Sequence, residues 1–436
     1  MIAVVVIAGL ASLAAFAALH WYAWRRLVRD TTARAGLARR AGTVVFVAGP
    51  LLMFAAVASE RAGAPFWLQR VLSWPGFLWM AFSIYLVLAV LVGEVVRPLL
   101  RRYLDRRSAP GGAESGPVQE PVLVPAREPD ERTSTPTSNP NPNPNPKPTP
   151  NATPVTPSAA SDPSRRLFVS RVVGGAAVVA ATGIVGNGAY GVLRGPKVKR
   201  VTVPLARLPR AAHGFRIAVV SDIHLSPVLG RGFAQRVVDT INSTQPDLIA
   251  VVGDLVDGSV EDLASAVAPL AGLRARHGAY FVTGNHEYFS GAEPWVEHVR
   301  EIGLRPLENA RVELSAFDLA GVNDVTGENY GDGPDYDKAL GDRDPGRAAV
   351  LLAHQPVMIH EAVKHGVDLQ LSGHTHGGQL WPGNFIADAA NPTLAGLERY
   401  GDTQLYVSRG AGAWGPPVRV GAPSDITVVE LASKRA

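Results

Sequence analysis

The 436-residue chain contains no cysteine, and only 18% of its residues are charged and 7% aromatic. Without cysteine neither a disulfide nor a thiolate metal ligand can form, so any metal must be bound by His, Asp, Glu or Asn. The low charge content accompanies 47% apolar residues, which points to membrane segments. The length exceeds that of one ordinary domain and predicts two or three separate regions.

The charge that is present is basic overall, with a formal net charge of +4. A basic chain can bind nucleic acid, but many of these arginines lie beside apolar segments, where they are typical of membrane orientation. We therefore expect no nucleic-acid partner.

Three uncharged stretches lie close together, at residues 1–24, 41–59 and 71–93. As a helix the first would reach ~36 Å, enough to cross a bilayer. The alternatives are a cleaved signal peptide for the first stretch and a buried soluble hairpin for the others. However, the first stretch lacks a basic start, and three such runs in succession are difficult to bury in a soluble domain. The sequence predicts a three-helix transmembrane region over residues 1–107.

Arginines are distributed unevenly around these stretches. The first loop carries six, the second loop two, and five follow the third stretch. By the positive-inside bias, the first loop and the segment after the third stretch are cytoplasmic, which places the N-terminus outside.

Residues 108–163 are rich in Pro, Asn, Ser and Thr, and this composition predicts a disordered linker. Residues 164–196 combine the pair Arg165–Arg166 with an uncharged stretch at 172–193. They are either a twin-arginine-like export signal or a fourth transmembrane helix. Both interpretations predict a multi-pass protein of the cell membrane in which everything after Arg194 lies outside the cytoplasm.

From residue 197 to residue 436 short apolar runs alternate with helical patterns, which indicates a layered α/β domain. The predicted helices are 231–243, 260–276, 294–302 and 356–364. The predicted strands are 216–221, 248–252, 279–283, 349–353, 369–372, 404–408 and 426–431.

Side chains that can bind metals follow five of these strands. Asp222 and His224 follow the first, and residues two apart in an extended chain face the same side. Each group alone has an ordinary explanation as a turn or a hydrogen-bonded residue, but five in succession indicate one polar site at the strand ends. The other members are Asp254, Asp257, Asn285, His286, His354, His374 and His376.

The order D-x-H, GD-x-x-D, GNH-E, H and GH-x-H resembles the calcineurin-like metallophosphoesterase superfamily, and its bacterial membrane-associated branch in particular. The resemblance implies a four-layer α/β/β/α sandwich with two divalent ions, which could be Mn, Fe, Zn or Co. It implies that His286 is catalytic and that Asp257 orients it. It further implies one metal on Asp222, His224 and His376, a second on Asn285, His354 and His374, and Asp254 bridging the two.

The sequence thus predicts a catalytic domain over residues 197–436, a metal-dependent phosphoester hydrolase that activates a bridging water with two metals at a membrane surface. Its membrane location suggests a lipid-linked phosphoester as substrate. The alternative is a membrane-anchored metal-binding scaffold or sensor without turnover. Gly258 stands where the serine/threonine phosphatases of the superfamily have arginine, which argues against that type of enzyme. Two questions stay open: whether Arg409 or Arg419 contacts phosphate, and whether the acidic stretch 323–347 is a loop that adds an ion site or only a surface insertion.

Overall fold

The computed structural model of the protein describes residues 2–108 and 163–434. The chain begins with four long helices, and α1 is followed by a short π-helical segment, Arg25–Arg29. Among the described helices, α2, α3 and α4 are long and apolar enough to cross a membrane. The four predicted apolar stretches all lie in helices, whereas the predicted disordered linker lies almost wholly outside the described residues. The helices are α1 (Ile2–Trp24), α2 (Leu37–Arg61), α3 (Phe66–Ser108) and α4 (Pro163–Leu193).

Small residues allow these helices to approach each other closely. A Cβ at Gly76 of α3 would lie 2.6 Å from the carbonyl oxygen of Leu52 in α2, so this crossing requires glycine. Helix α3 also packs on α4 through a shared buried cluster of apolar side chains. At the other end of the bundle Arg171 Nε donates to the carbonyl oxygen of Thr31 at 3.0 Å. The beginning of α4 therefore lies beside the arginine-rich loop that follows α1.

Two six-stranded sheets form the centre of the C-terminal domain. Short helices follow many of the strands: α5 (Arg231–Ser243), α6 (Val260–Val267), α7 (Asn285–Ser290), α8 (Ala292–Glu301), α9 (Tyr336–Leu340), α10 (Ile359–Lys364) and α11 (Gly383–Ala390). The strands are β1 (Lys197–Leu205), β2 (Phe215–Val220), β3 (Leu248–Val252), β4 (Ala279–Val282), β5 (Arg305–Pro306), β6 (Ala310–Glu313), β7 (Phe317–Gly321), β8 (Ala348–Leu352), β9 (Leu369–Ser372), β10 (Gly396–Tyr400), β11 (Thr403–Val407) and β12 (Asp425–Ser433).

Each sheet has a block of parallel strands. In the first sheet β12 pairs with β2 antiparallel and with β1 in parallel, and in the second sheet β10–β11 and β6–β7 are antiparallel pairs. The first sheet has the order β1-β12-β2-β3-β4-β5, and β2 to β5 are parallel neighbours. The second has the order β10-β11-β9-β8-β7-β6, and β11, β9, β8 and β7 are parallel. Parallel strands all end at the same edge, so each sheet presents one edge made of carboxyl ends.

Period-two alternation of apolar side chains builds the layers. In β2, Ile217 and Val219 point into the core between the two sheets, whereas Ala218 and Val220 point towards the helices of the first sheet. Leu351 of β8 points the other way, into a third core under α9 and α10. Central strands buried on both faces explain why their sequences are almost continuously apolar. The predicted four-layer α/β/β/α sandwich is confirmed.

The helices of the N-terminal region contact the sandwich at its metal-ligand edge. Phe66, at the start of α3, packs against the core of the first sheet. Gly188 of α4 lies under the backbone of Arg419, because a Cβ there would come within 2.8 Å of the Arg419 carbonyl oxygen. The arginine-rich loop after α1 and the sandwich thus lie at opposite ends of the bundle.

All seven predicted strands are present, and five further strands were not predicted: β1, β5, β6, β7 and β10. The helix predicted over 260–276 ends at Val267 and continues as a 3-10 turn, Ala268–Gly272, which contains Pro269. Strand β7 was not predicted, although all five of its residues are buried. The two-residue strand β5 and the helix α11 also escaped prediction, because neither has enough residues to establish a period.

Phe317 offers a test of the core between the sheets, because it is fully buried and its ring meets Phe215 edge-on at 5.1 Å. We expect Phe317→Ala to lower the free energy of unfolding by about 3–5 kcal/mol. The measurement is denaturant unfolding of the full chain in detergent, followed by tryptophan fluorescence. Val357→Ala is the matched control, because Val357 is 45% exposed and its truncation should cost within about 0.5 kcal/mol. Equal costs for the two variants would contradict this packing.

Candidate metal centre

The predicted site residues all follow the carboxyl ends of parallel strands, where the two sheets meet. Asp222 and His224 follow β2, Asp254 and Asp257 follow β3, and Asn285 and His286 follow β4. From the second sheet, His354 follows β8, and His374 and His376 follow β9. The structure brings all nine to one location, although they are spread over about 155 positions of the chain.

The backbone that carries these ligands is held in a conformation that costs energy. Five non-glycine residues of the site have a left-handed backbone with φ between 49° and 72°. Such a conformation in a residue with a side chain costs of order 1–3 kcal/mol, and it persists only where the surroundings impose it. The five are Asp222, His224, Asp254, His374 and His376.

Glycines make the close approach of the loops possible. A Cβ at Gly253 would lie 2.5 Å from His354 Nδ1, and one at Gly284 would lie 2.5 Å from the backbone nitrogen of Asp254. A larger residue at Gly253 would push the ligand loops of the two sheets apart, and one at Gly284 would separate two ligand loops of the first sheet. This is the physical reason for the glycine that precedes Asp254 and Asn285.

A first group of candidate ligands consists of Asp222, His224 and His376, all of them buried. Asp222 Oδ1 lies 3.3 Å from His376 Nε2, and the Nε2 atoms of His224 and His376 lie 3.0 Å apart. Two imidazole nitrogens that face each other this closely must share a proton or a cation. Metal binding here would displace that proton.

A second group consists of Asp254, His354 and His374, and Asn285 completes it because its Oδ1 lies 3.0 Å from His374 Nδ1. His354 Nδ1 donates to the carbonyl oxygen of Val252 at 2.9 Å, which leaves Nε2 directed at Asp254 Oδ2, 3.1 Å away. Burial alone would raise the pKa of Asp254, but the surrounding imidazoles, His354 first, hold that pKa well below its usual range.

The donor set fits divalent cations. Among the described residues of the first group, Asp222 Oδ2 is buried without a hydrogen-bond partner, and in the second group His354 Nε2 faces the carboxylate of Asp254 at 3.1 Å. Buried polar atoms are otherwise almost always paired. Mixed carboxylate, amide and imidazole donors suit first-row divalent metals. These residues are therefore clustered as potential metal ligands.

His286 and Asp257 form a pair at the rim of the site. His286 Nδ1 lies 2.7 Å from Asp257 Oδ1, and the same oxygen lies 2.9 Å from His224 Nδ1. Burial would lower the pKa of His286, but the charge of Asp257 outweighs burial and raises it to about 9. Asp257 thus fixes the orientation of two imidazoles.

Glu287 holds the centre together, and the sequence did not assign it a role. Its fully buried carboxylate accepts hydrogen bonds from the backbone nitrogens of Asp254, Leu255 and Gly284 at 2.6–2.9 Å. Burial, followed by the charge of Asp254, raises the pKa of Glu287 to about 7. The signal in the sequence is that Glu287 directly follows Asn285 and His286. Those two residues already explained the motif, so nothing in the sequence called for a separate role for the carboxylate.

Arg419 lies behind the ligands and not at the substrate side. Its guanidinium donates to the carbonyl oxygens of Gly412, His376 and Ala422 and to His376 Nδ1 at 3.1 Å. With these donors occupied it supports His376 and does not serve as a phosphate contact. The acidic stretch forms α9 and a 3-10 turn, Val325–Tyr330, and Asp324 at its start is buried beside His354.

Comparison with known proteins agrees with this geometry. The family described as calcineurin-like phosphoesterase matches residues 215–378. An "Uncharacterized metallophosphoesterase" of Helicobacter pylori strain J99 is 37% identical over 275 residues, which cover 62% of this chain and 74% of that protein. A "Transmembrane protein with metallophosphoesterase domain" of Danio rerio is 36% identical over 288 residues, covering 63% of this chain and 64% of that one.

Among solved structures, a dimetal phosphatase from Danio rerio aligns with a TM-score of 0.36 and 13% identity, over 50% of this chain and 93% of that one. A likeness this slight supports no conclusion alone. The sequence matches do, and the chain belongs to the calcineurin-like metallophosphoesterase family. Membership of this family suggests a phosphoesterase of the hydrolase class. Its apolar helices and its transmembrane relatives indicate a membrane protein.

The hydrogen bonds of Glu287 predict the effect of its replacement. We expect Glu287→Gln to weaken manganese binding by about 10–100-fold, because an amide cannot accept all three backbone hydrogen bonds that hold the Asp254 loop. The measurement is titration of the full chain with Mn²⁺, followed by electron paramagnetic resonance.

Glu361→Gln is the matched control, because this carboxylate of α10 is 43% exposed, lies outside the ligand groups and pairs with Lys364. Manganese affinity that falls equally in both variants, or in neither, would contradict a positioning role for Glu287.

Proposed function

We propose that the protein hydrolyses phosphoesters with two divalent cations bound at the shared edge of its two sheets. The observation that carries this proposal is the convergence of seven ligand side chains into two groups with Asp254 between them. Asp254 Oδ2 lies 3.1 Å from His354 Nε2 in one group and 3.7 Å from His224 Nε2 in the other. A carboxylate in this position can contact both cations and offset their mutual repulsion.

The division of ligands follows the geometry. Asp222, His224 and His376 would hold one cation, and Asn285, His354 and His374 would hold the other. When bound, such a pair supplies Lewis-acid activation of water and neutralisation of phosphoryl charge. Mn, Fe, Zn and Co are all compatible with the donors.

The chain itself supplies a proton donor. His286 lies in the same cluster as His224 and Asp254, and Asp257 holds its Nδ1. Its Nε2 is therefore the nitrogen free to donate a proton to the leaving oxygen of a phosphoester. Trp414 and Phe289 flank the ring at centroid distances of 5.8 Å and 5.5 Å and limit its rotation.

We further propose that residues 1–107 anchor the chain, that residues 164–196 contribute a fourth crossing, and that residues 197–436 form the catalytic domain outside the cytoplasm. Two observations support this orientation. The arginine-rich loop and the beginning of α4 lie together through Arg171 and Thr31, and the sandwich lies at the opposite end of the bundle. Loops rich in arginine favour the cytoplasmic side.

A catalytic domain held against a membrane favours a substrate that resides there, so we propose a lipid-linked phosphoester. A metal-binding scaffold or sensor without turnover is the competing function. The presence of His286, held by Asp257, favours the enzyme, because binding a metal for structure alone does not require a proton donor beside it.

The bridging position of Asp254 makes its replacement the test of hydrolysis. The full chain, supplied with Mn²⁺, should hydrolyse an aryl phosphate, and Asp254→Ala should abolish this turnover because both cations lose a shared ligand. Asp402→Ala is the control, since Asp402 is fully exposed at the opposite end of β11.

Turnover by Asp254→Ala equal to that of the wild type would refute the mechanism. Bound manganese without turnover of any phosphomonoester, phosphodiester or pyrophosphate would favour the scaffold.

The absence of cysteine makes the orientation directly measurable. A single cysteine at Asp402 should react with a membrane-impermeant maleimide in intact cells, because the proposal places the sandwich outside the cytoplasm. A cysteine at Arg34, in the exposed arginine-rich loop, should react only after lysis. The reverse pattern would overturn the orientation.

A further inference from the structure

Five large apolar side chains remain exposed on segments that follow or contact the site residues His286 and His376. We define this surface as the apolar rim; its members and their exposed fractions are Phe289 (64%), Trp381 (48%), Phe385 (65%), Ile386 (76%) and Trp414 (54%). Contiguous exposed apolar surface around a polar site is unusual in soluble proteins and marks a contact with a partner or a membrane.

Two members of the apolar rim contact the site residue His286 directly. Trp414 and Phe289 contact the ring of His286. Gln379, three residues after the ligand His376, accepts from the backbone nitrogen of Trp414 at 3.0 Å and donates to its carbonyl oxygen at 2.9 Å. Whatever covers the rim therefore lies beside the proposed proton donor.

Helix α11, which carries two members of the apolar rim, has the features of a helix that lies at a membrane interface. None of its residues is buried in the protein. Phe385, Ile386 and Ala389 share one face at helical spacing, whereas Asn384 and Asp388, four residues apart, lie on another. A short amphipathic helix of this kind lies in the plane of a membrane with its apolar face in the lipid.

The depth of the rim follows from its contacts with α4. Trp381 donates from its backbone nitrogen to the carbonyl oxygen of Val420 at 2.9 Å, and Val420 lies against Gly188. Gly188 precedes the end of the uncharged stretch at Leu193 by five residues, which corresponds to about 8 Å along a helix. Interfacial helices bury their apolar face by about 5–10 Å, the same depth.

Contacts with α3 place the other side of the rim at a similar level. A Cβ at Gly415, next to Trp414, would lie 3.9 Å from the Phe77 ring. Phe77 is six residues inside the uncharged stretch of α3, or about 9 Å. Above this level Arg194 lies over the ring of Tyr190, a pairing suited to the headgroup region.

We propose that the apolar rim inserts into the lipid leaflet on the catalytic side, so that the metal centre opens at the headgroup plane and receives lipid-linked phosphoesters from within the membrane. Continuity with α3 and α4 favours lipid over a second protein, because the rim lies at the depth of helices that are themselves in the bilayer. The uptake of lipid-linked phosphoesters rests on the proposed function, but the depth to which the apolar rim inserts can be measured without turnover.

The test uses the full chain in vesicles of phosphatidylcholine and phosphatidylglycerol. Ile386→Cys carries an environment-sensitive fluorophore, and nitroxide groups on the lipid acyl chains act as quenchers. Asp402→Cys is the matched control, because it is exposed at the far end of β11. We expect acyl-chain quenching at position 386 to exceed that at position 402 by about fivefold or more, as insertion to that depth requires.

Phe385→Cys provides an independent reading and should be quenched like Ile386→Cys. Equal quenching at positions 386 and 402 would overturn the proposal. Shielding of the label at position 386 from lipid would also overturn it if the unlabelled Ile386→Cys variant forms disulfide-linked dimers when treated with a mild oxidant, because that result indicates a protein interface. A quenched rim in a chain that hydrolyses no phosphoester would refute the proposed function and leave the insertion standing.

Discussion

The structure depends on how one buried edge accommodates several carboxylates and imidazoles at once. Asp254 lies between the two ligand groups, and Glu287 fixes its loop through three backbone hydrogen bonds. Such a concentration of charge is unfavourable away from water unless cations or protons balance it. The left-handed backbone of five ligands adds a conformational cost. Extensive apolar cores on both sides of each sheet offset these costs and keep the edge rigid.

Most of the fold was predictable because its central strands are buried on both faces. Runs such as Leu248–Val252 are wholly apolar, and this pattern can be recognised without knowing the conformation of the surrounding loops. Elements that depend on tertiary contacts were missed. Strand β7 begins with Phe317 and includes Asp318, whose charge interrupts the apolar pattern until Arg347 pairs with it at 2.8 Å. No local pattern in the sequence indicates that Asp318 pairs with Arg347, 29 residues away.

The site was predictable to the extent that its residues follow strands. All nine predicted ligand and catalytic residues lie in the cluster, because parallel strands bring their carboxyl ends to one edge whatever their separation along the chain. The residues that support the ligands were not predictable in the same way. Glu287 acts through backbone nitrogens, and a sequence pattern does not show such contacts. Arg419 could equally have been a surface residue, and only the structure shows that its guanidinium donates to three carbonyl oxygens and to His376.

The contact between Gly188 and Arg419 connects the apolar helix α4 to a residue that supports the ligand His376. The backbone of Arg419 lies on α4, and the guanidinium at the end of its side chain touches a ligand ring, with Nη2 3.1 Å from His376 Nδ1. A sliding or tilting of α4, such as a thinner or thicker bilayer imposes, therefore moves the group that steadies His376. Bilayer thickness would then bear on how firmly His376 is held for the proposed cation, and a detergent micelle would act on α4 differently from a membrane.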